Sequence, residues 1–85
     1  MNFFDYFSEV EDLFNTRRGK HVLFSPMEWA LIETWSEREV PLEVVKDGIN
    51  KALNRVEDPK RIKSLMYCRG VVEEEHERYL KSKEK

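Results

Sequence analysis

Four residues, Ser25-Pro26-Met27-Glu28, constrain this chain more than any other stretch. A serine hydroxyl can accept the backbone N–H three residues on, and a glutamate at that third position can reach back to the serine N–H. Together they form a capping box that satisfies two donors a helix start leaves open. Pro26 stands at the first helical position, where its missing N–H costs nothing and its fixed φ suits the helix. Behind the box, Met27, Leu31 and Trp35 recur at i, i+4 and i+8 with Ala30 and Ile32 beside them, a broad apolar face. Trp29 and Trp35 fall on different sides, so the helix is expected to touch more than one neighbour. Phe24, just before the cap, is placed to staple onto Trp29. The spacing predicts a helix over 26–38 at the centre of a small bundle.

Three further helices are expected around it. Phe3, Phe7, Val10 and Phe14, widened by Tyr6 and Leu13, predict one over 2–17, with acids early, Arg17-Arg18 late and Gly19 as its stop. Its aromatics read as core, with Phe4 off centre and exposed and a dimer contact through it as the alternative. Val40-Pro41 ends the second helix, because a residue before proline avoids the α region. Leu42, Val45, Ile49, Ala52, Leu53 and Val56 predict the third over 41–55. Gly48 inside it costs about 1 kcal/mol relative to alanine, a cost expected to be offset by close approach of a neighbour, under Trp29 or Trp35. Asp58-Pro59 predicts the start of a fourth helix over 59–80, with Gly70 as a close contact or bend and a frayed end over 81–85. With no strand-like alternation, repeats or low-complexity linker, the expectation is an all-α, four-helix bundle-like single domain over 1–85. Its predicted core is Phe7, Val10, Phe14, Leu31, Trp35, Val45, Ile49, Leu53, Ile62, Leu65 and Met66.

The 85 residues are 40% hydrophobic and 38% charged, which suits a thin layer of helices with long solvated faces. The net charge of −2 sets up no global field toward nucleic acid or membrane. Cys68, the lone cysteine, supports neither a disulfide framework nor a zinc site. The opening Met-Asn-Phe-Phe-Asp lacks the basic region and apolar run of a signal peptide, and no run reaches the ~20 apolar residues that span a bilayer. A cytoplasmic protein without membrane contact is expected.

The motifs of catalysis are absent: no Gly-rich phosphate loop, no Ser-x-x-Lys, no His-Glu-x-x-His. Glu73-x-x-His76 has the spacing of di-iron bundles, but that site needs a second such pair, and His21 is the only other histidine. A non-enzymatic domain with no cofactor, metal or small-molecule substrate follows.

Charge is distributed unevenly. Residues 1–16 carry four acids and no base, and 17–24 carry Arg17, Arg18 and Lys20 with no acid. Residues 44–72 carry seven bases (Lys46, Lys51, Arg55, Lys60, Arg61, Lys63 and Arg69) against Asp47, Glu57 and Asp58. Arg55, Lys60, Arg61 and Lys63 surround one turn and one predicted helix start, whose free N–H groups suit a phosphate. This is a candidate nucleic-acid footprint; ordinary surface lysines and arginines are the alternative.

Residues 23 to about 72 also resemble the DnaD-like helical domain of bacterial and phage replication-initiation proteins. The resemblance lies in Leu23-Phe24-Ser25-Pro26, the Leu31…Trp35 helix end, the Pro41-Leu42-Glu43-Val44-Val45…Ile49…Ala52 helix, and a Tyr67…Val71 step. Where that family continues to a tryptophan, this chain has Glu75, and residues 2–17 do not align. The resemblance implies binding without catalysis, to DNA, to replication-type protein partners or to further copies of the chain. It adds Tyr67 and Arg69 to the contact candidates. Two readings stand: a helical interaction module with weak nucleic-acid contact, or a protein-binding or homo-oligomerising module with none.

Overall fold

The computed structural model describes residues 2–83. Its helices are α1 (Phe3–Arg18), α2 (Pro26–Glu37), α3 (Leu42–Asn54) and α4 (Arg69–Lys83), with two short 3₁₀ turns, Pro59–Arg61 and Leu65–Cys68, between α3 and α4. There is no strand among the described residues, and the fold is a small all-α bundle.

Each local signal acts where the chemistry places it. Asn2 caps α1 by accepting the Asp5 N–H at 2.9 Å, and Gly19 closes it in the left-handed region at φ 70°. The capping box of α2 is complete: the Ser25 N–H donates to Glu28 Oε1 at 2.8 Å, and the Glu28 N–H donates to Ser25 Oγ at 3.3 Å. Past α2 the chain turns through Glu39, at φ 59°, before Pro41.

α1 and α3 lie side by side and run the same way. Tyr6 donates its hydroxyl to the Val40 carbonyl at 2.7 Å, Lys46 pairs with Glu9, and Arg17 reaches the amide oxygens of Asn50 and Asn54. α2 runs alongside the second 3₁₀ turn and α4, also in one direction. Glu28 meets Leu65 near its start, and Trp35 and Arg38 meet Glu73 near its end. Phe7 joins the aromatic layer, stacked on Trp29 at 3.7 Å between centroids and edge-on to Phe24 at 5.7 Å. The staple expected between Phe24 and Trp29 therefore runs through Phe7.

The core is built on Val10, Phe14, Ile32, Trp35, Val45, Ile49, Leu53, Leu65, Cys68 and Val72. Three predicted core residues, Leu31, Ile62 and Met66, are only half-buried. Ile32 takes the place expected of Leu31, because α2 turns its Met27–Leu31 edge outward. Burial pushes the Cys68 thiol up to about 12, so it is a packing residue and not a nucleophile.

Gly48 is needed where α3 meets α4. A Cβ there would stand 2.7 Å from both Cα and Cγ2 of Val72, a contact with backbone that no rotamer relieves. The expected close approach exists, but it is to Val72 and not to a tryptophan. Gly48→Ala is expected to lose about 1–3 kcal/mol despite its better helix propensity; urea unfolding at wild-type stability would show that α3 and α4 part easily. Gly70 has open space around its Cα and marks no close contact.

The largest departure is the predicted helix 59–80. Asp58 caps as expected, accepting the Lys60 N–H at 3.1 Å, but the helix lasts one 3₁₀ turn. The backbone is extended at Ile62 and Ser64, Ser64 caps the second turn through Met66, and α-helix begins only at Arg69. At the other end α4 continues through Lys83, so residues 81–83 are helical where fraying was expected. Residues 84 and 85 lie outside the described residues.

Two charged side chains explain the break. Arg18, fully buried, donates through Nη1 to the carbonyls of Ile62 (3.2 Å) and Lys63 (3.3 Å), and through Nη2 to Asn15 (2.8 Å). Its guanidinium lies 4.2 Å above the Phe14 ring. Glu28 accepts the Leu65 N–H at 2.8 Å on the oxygen the capping box leaves free. Buried backbone groups must find partners, and here α1 and α2 supply them, so the segment has no need of helix.

Candidate nucleic-acid interface

Arg55, Lys60, Arg61 and Lys63 are all exposed, as are Tyr67 and Arg69. The fold gathers the first four with the end of α1. Lys20 donates its ammonium to the Lys60 carbonyl at 2.9 Å, and the Lys60 side chain lies over Gly19. Arg18 grips the carbonyls beneath Lys63, while Arg61 lines a shallow hollow with Val56, Glu57, Asp58 and Ile62. Since α1 and α3 are parallel, their C-terminal ends bring Arg17, Lys20 and Arg55 to the same end. Of the acids of α1, Asp5 and Glu9 lie in its N-terminal half, away from that end, and Glu11 and Asp12 near its middle. A domain with net charge −2 thus has one basic end.

The ion pairs sharpen this contrast. Among the described residues they are Arg38–Glu73, Lys46–Glu9, Lys51–Glu75 and Arg78–Glu75. None involves Lys20, Arg55, Lys60, Arg61 or Lys63. The Lys51 hydrogen bond holds the Glu75 carboxyl below its usual range, with Arg55 adding to the field there. The Arg38 hydrogen bond does the same for Glu73, and Trp35 Nε1 adds a further donor at 3.1 Å.

Two parts of the expected footprint are placed differently. The helix start after Asp58 is a three-residue turn whose Lys60 N–H is already taken by Asp58, so it offers phosphate no free helix end. Arg69 lines a separate hollow between α2 and α4, with Met27, Ala30, Leu31, Thr34, Arg38, Met66 and Glu73. Tyr67 projects from the turn just before α4. Sequence reasoning left Lys20 out of the site, though the acid-free run 17–24 carried the signal. Among the described residues no three His, Cys, Asp or Glu side chains gather to hold a metal, and Glu73 is occupied by Arg38. No helix of the described residues is long and apolar enough to cross a membrane.

A family model carrying the description "Uncharacterised protein" matches residues 5–85. The chain belongs to that family. No curated protein and no solved structure matches it. The resemblance to DnaD-like domains is thereby corrected: the match over 5–85 is to this other family and shows no DnaD-like domain. The structure supplies a physical reason. Tyr67 lies in a 3₁₀ turn and Val71 in α4, so the Tyr67…Val71 step does not run along one helix.

Proposed function

We propose that this domain is a non-enzymatic interaction module whose basic end holds the backbone of nucleic acid weakly and without sequence preference. One observation carries the reading: Lys20, Arg55, Lys60, Arg61 and Lys63 converge at one end, exposed and in no ion pair among the described residues, while Arg38, Lys46, Lys51 and Arg78 are paired with carboxylates. Phosphate contacts made by flexible cations give affinity without sequence information. Glu57 and Asp58 beside Arg61 keep that affinity low. A buried free thiol and a nucleic-acid ligand both suit the cytoplasm.

The test is a fluorescence anisotropy titration with mixed-sequence DNA at two salt concentrations. Binding is expected to fall steeply with salt, with a slope of log affinity against log salt of about −0.9 per phosphate contact. Charge reversal at Lys60, Arg61 and Lys63 together is expected to abolish binding and leave helical content unchanged, since none of the three side chains holds the fold. Wild-type affinity in that variant, or no binding by wild type at low salt, contradicts the reading.

A further inference from the structure

We infer that a second copy of this chain docks on the hollow between α2 and α4, with Phe4 of each copy entering the hollow of the other. Single exposed apolar residues are ordinary, but a contiguous exposed patch marks an interaction surface. This hollow, about 360 Å³, brings apolar side chains of two elements together at one end: Met27, Ala30 and Leu31 on one side face Met66 on the other. Met27 and Met66 stand at its apolar end, because Glu28 and Leu65 are bonded beside them. Arg38 and Glu73, joined by two hydrogen bonds at 2.9 and 3.0 Å, close its far end. Arg69, one helical turn from Met66, is the cation of the hollow without a carboxylate partner. Methionine pairs adapt to an incoming ring.

The occupant follows from charge and exposure. Phe4 is 72% exposed and Met27 68%, and Phe4 touches only Phe3 among the aromatic rings. Asp5, beside Phe4, is also exposed and has no ion pair among the described residues. A copy that seats Phe4 between Met27 and Met66 brings Asp5 toward Arg69. Each chain carries both halves, so a two-fold arrangement makes the contact twice and closes.

Sedimentation equilibrium from micromolar to millimolar protein tests this. Wild type is expected to dimerise with a dissociation constant on the order of 100 µM, as befits a small interface. Phe4→Asp and Met27→Asp, both at exposed positions, are each expected to weaken the dimer at least tenfold with unchanged melting. Arg69→Glu is expected to weaken it, and adding Asp5→Arg to restore it. Charge reversal at Lys60, Arg61 and Lys63 is expected to leave it intact, which separates this contact from nucleic-acid binding. A wild-type monomer throughout, wild-type dimerisation by Phe4→Asp and Met27→Asp, or no recovery in the Arg69→Glu/Asp5→Arg pair overturns the proposal.

Discussion

Glu28→Ala is expected to cost about 3–5 kcal/mol, because it removes a buried carboxylate that two backbone donors depend on. Its two carboxylate oxygens accept two backbone donors, the Ser25 N–H and the Leu65 N–H, each at 2.8 Å. A hydrogen bond to a charged group contributes about 1.5–3 kcal/mol, and a buried donor left alone costs its full desolvation. The loss also removes the negative charge whose field favours the buried Arg18 guanidinium. Ser25→Ala removes only a cap and is expected to cost about 1 kcal/mol. Made in the Ser25→Ala background, Glu28→Ala is expected to cost less than it does alone, because the box share is already gone. The Leu65 share persists. Full additivity in urea unfolding would mean that the reciprocal box contributes nothing.

Ile49→Ala is expected to cost about 2–5 kcal/mol. Ile49 is wholly buried in α3, next to the Gly48–Val72 contact, so the truncated side chain leaves a cavity that packed helices cannot collapse. For a domain stabilised by about 5–15 kcal/mol this is a large fraction. Leu31→Ala, by contrast, is expected to cost well under half as much, since Leu31 lies on the half-open edge of α2. Comparable losses at the two positions would mean that α2 buries that edge, which would also leave no hollow for a second chain.

The difference between Leu31 and Ile32 shows how far sequence spacing reaches. Periodicity identifies an apolar face about two residues wide at each turn, and which edge meets the neighbour depends on how helices cross. The α2 start was legible because its cap is local, two bonds over three residues. Gly48 was legible as a close approach, but its partner 24 residues away was not. The segment after Pro59 misled for the same reason in reverse. Asp58-Pro59 is a sound helix start, and the second start, capped by Ser64, was not read. What keeps Ile62–Ser64 out of helix comes from Arg18 and Glu28, 37 to 45 residues earlier. Arg18 itself looked like a surface charge complementing the end of α1; its burial shows only in three dimensions. The basic end was half legible: Arg55, Lys60, Arg61 and Lys63 were visible as a local excess, whereas Lys20 joins them only because Gly19 packs against Lys60. Arg69 was grouped with them through the resemblance and lines another hollow.

Arg18 and Glu28 hold Ile62–Ser64 extended ahead of the turn that Leu65 opens, and so set the shape of the basic end. Hydrogen exchange at the Leu65 amide tests this most directly. In wild type that amide is expected to be protected to near the global stability, although it opens a 3₁₀ turn and has no helical partner. In Glu28→Gln, which nearly keeps the shape, its protection is expected to fall far more than that of Ile49 or Leu53 in α3. A Leu65 amide that exchanges freely in wild type, or one as protected in Glu28→Gln as before, would contradict the account.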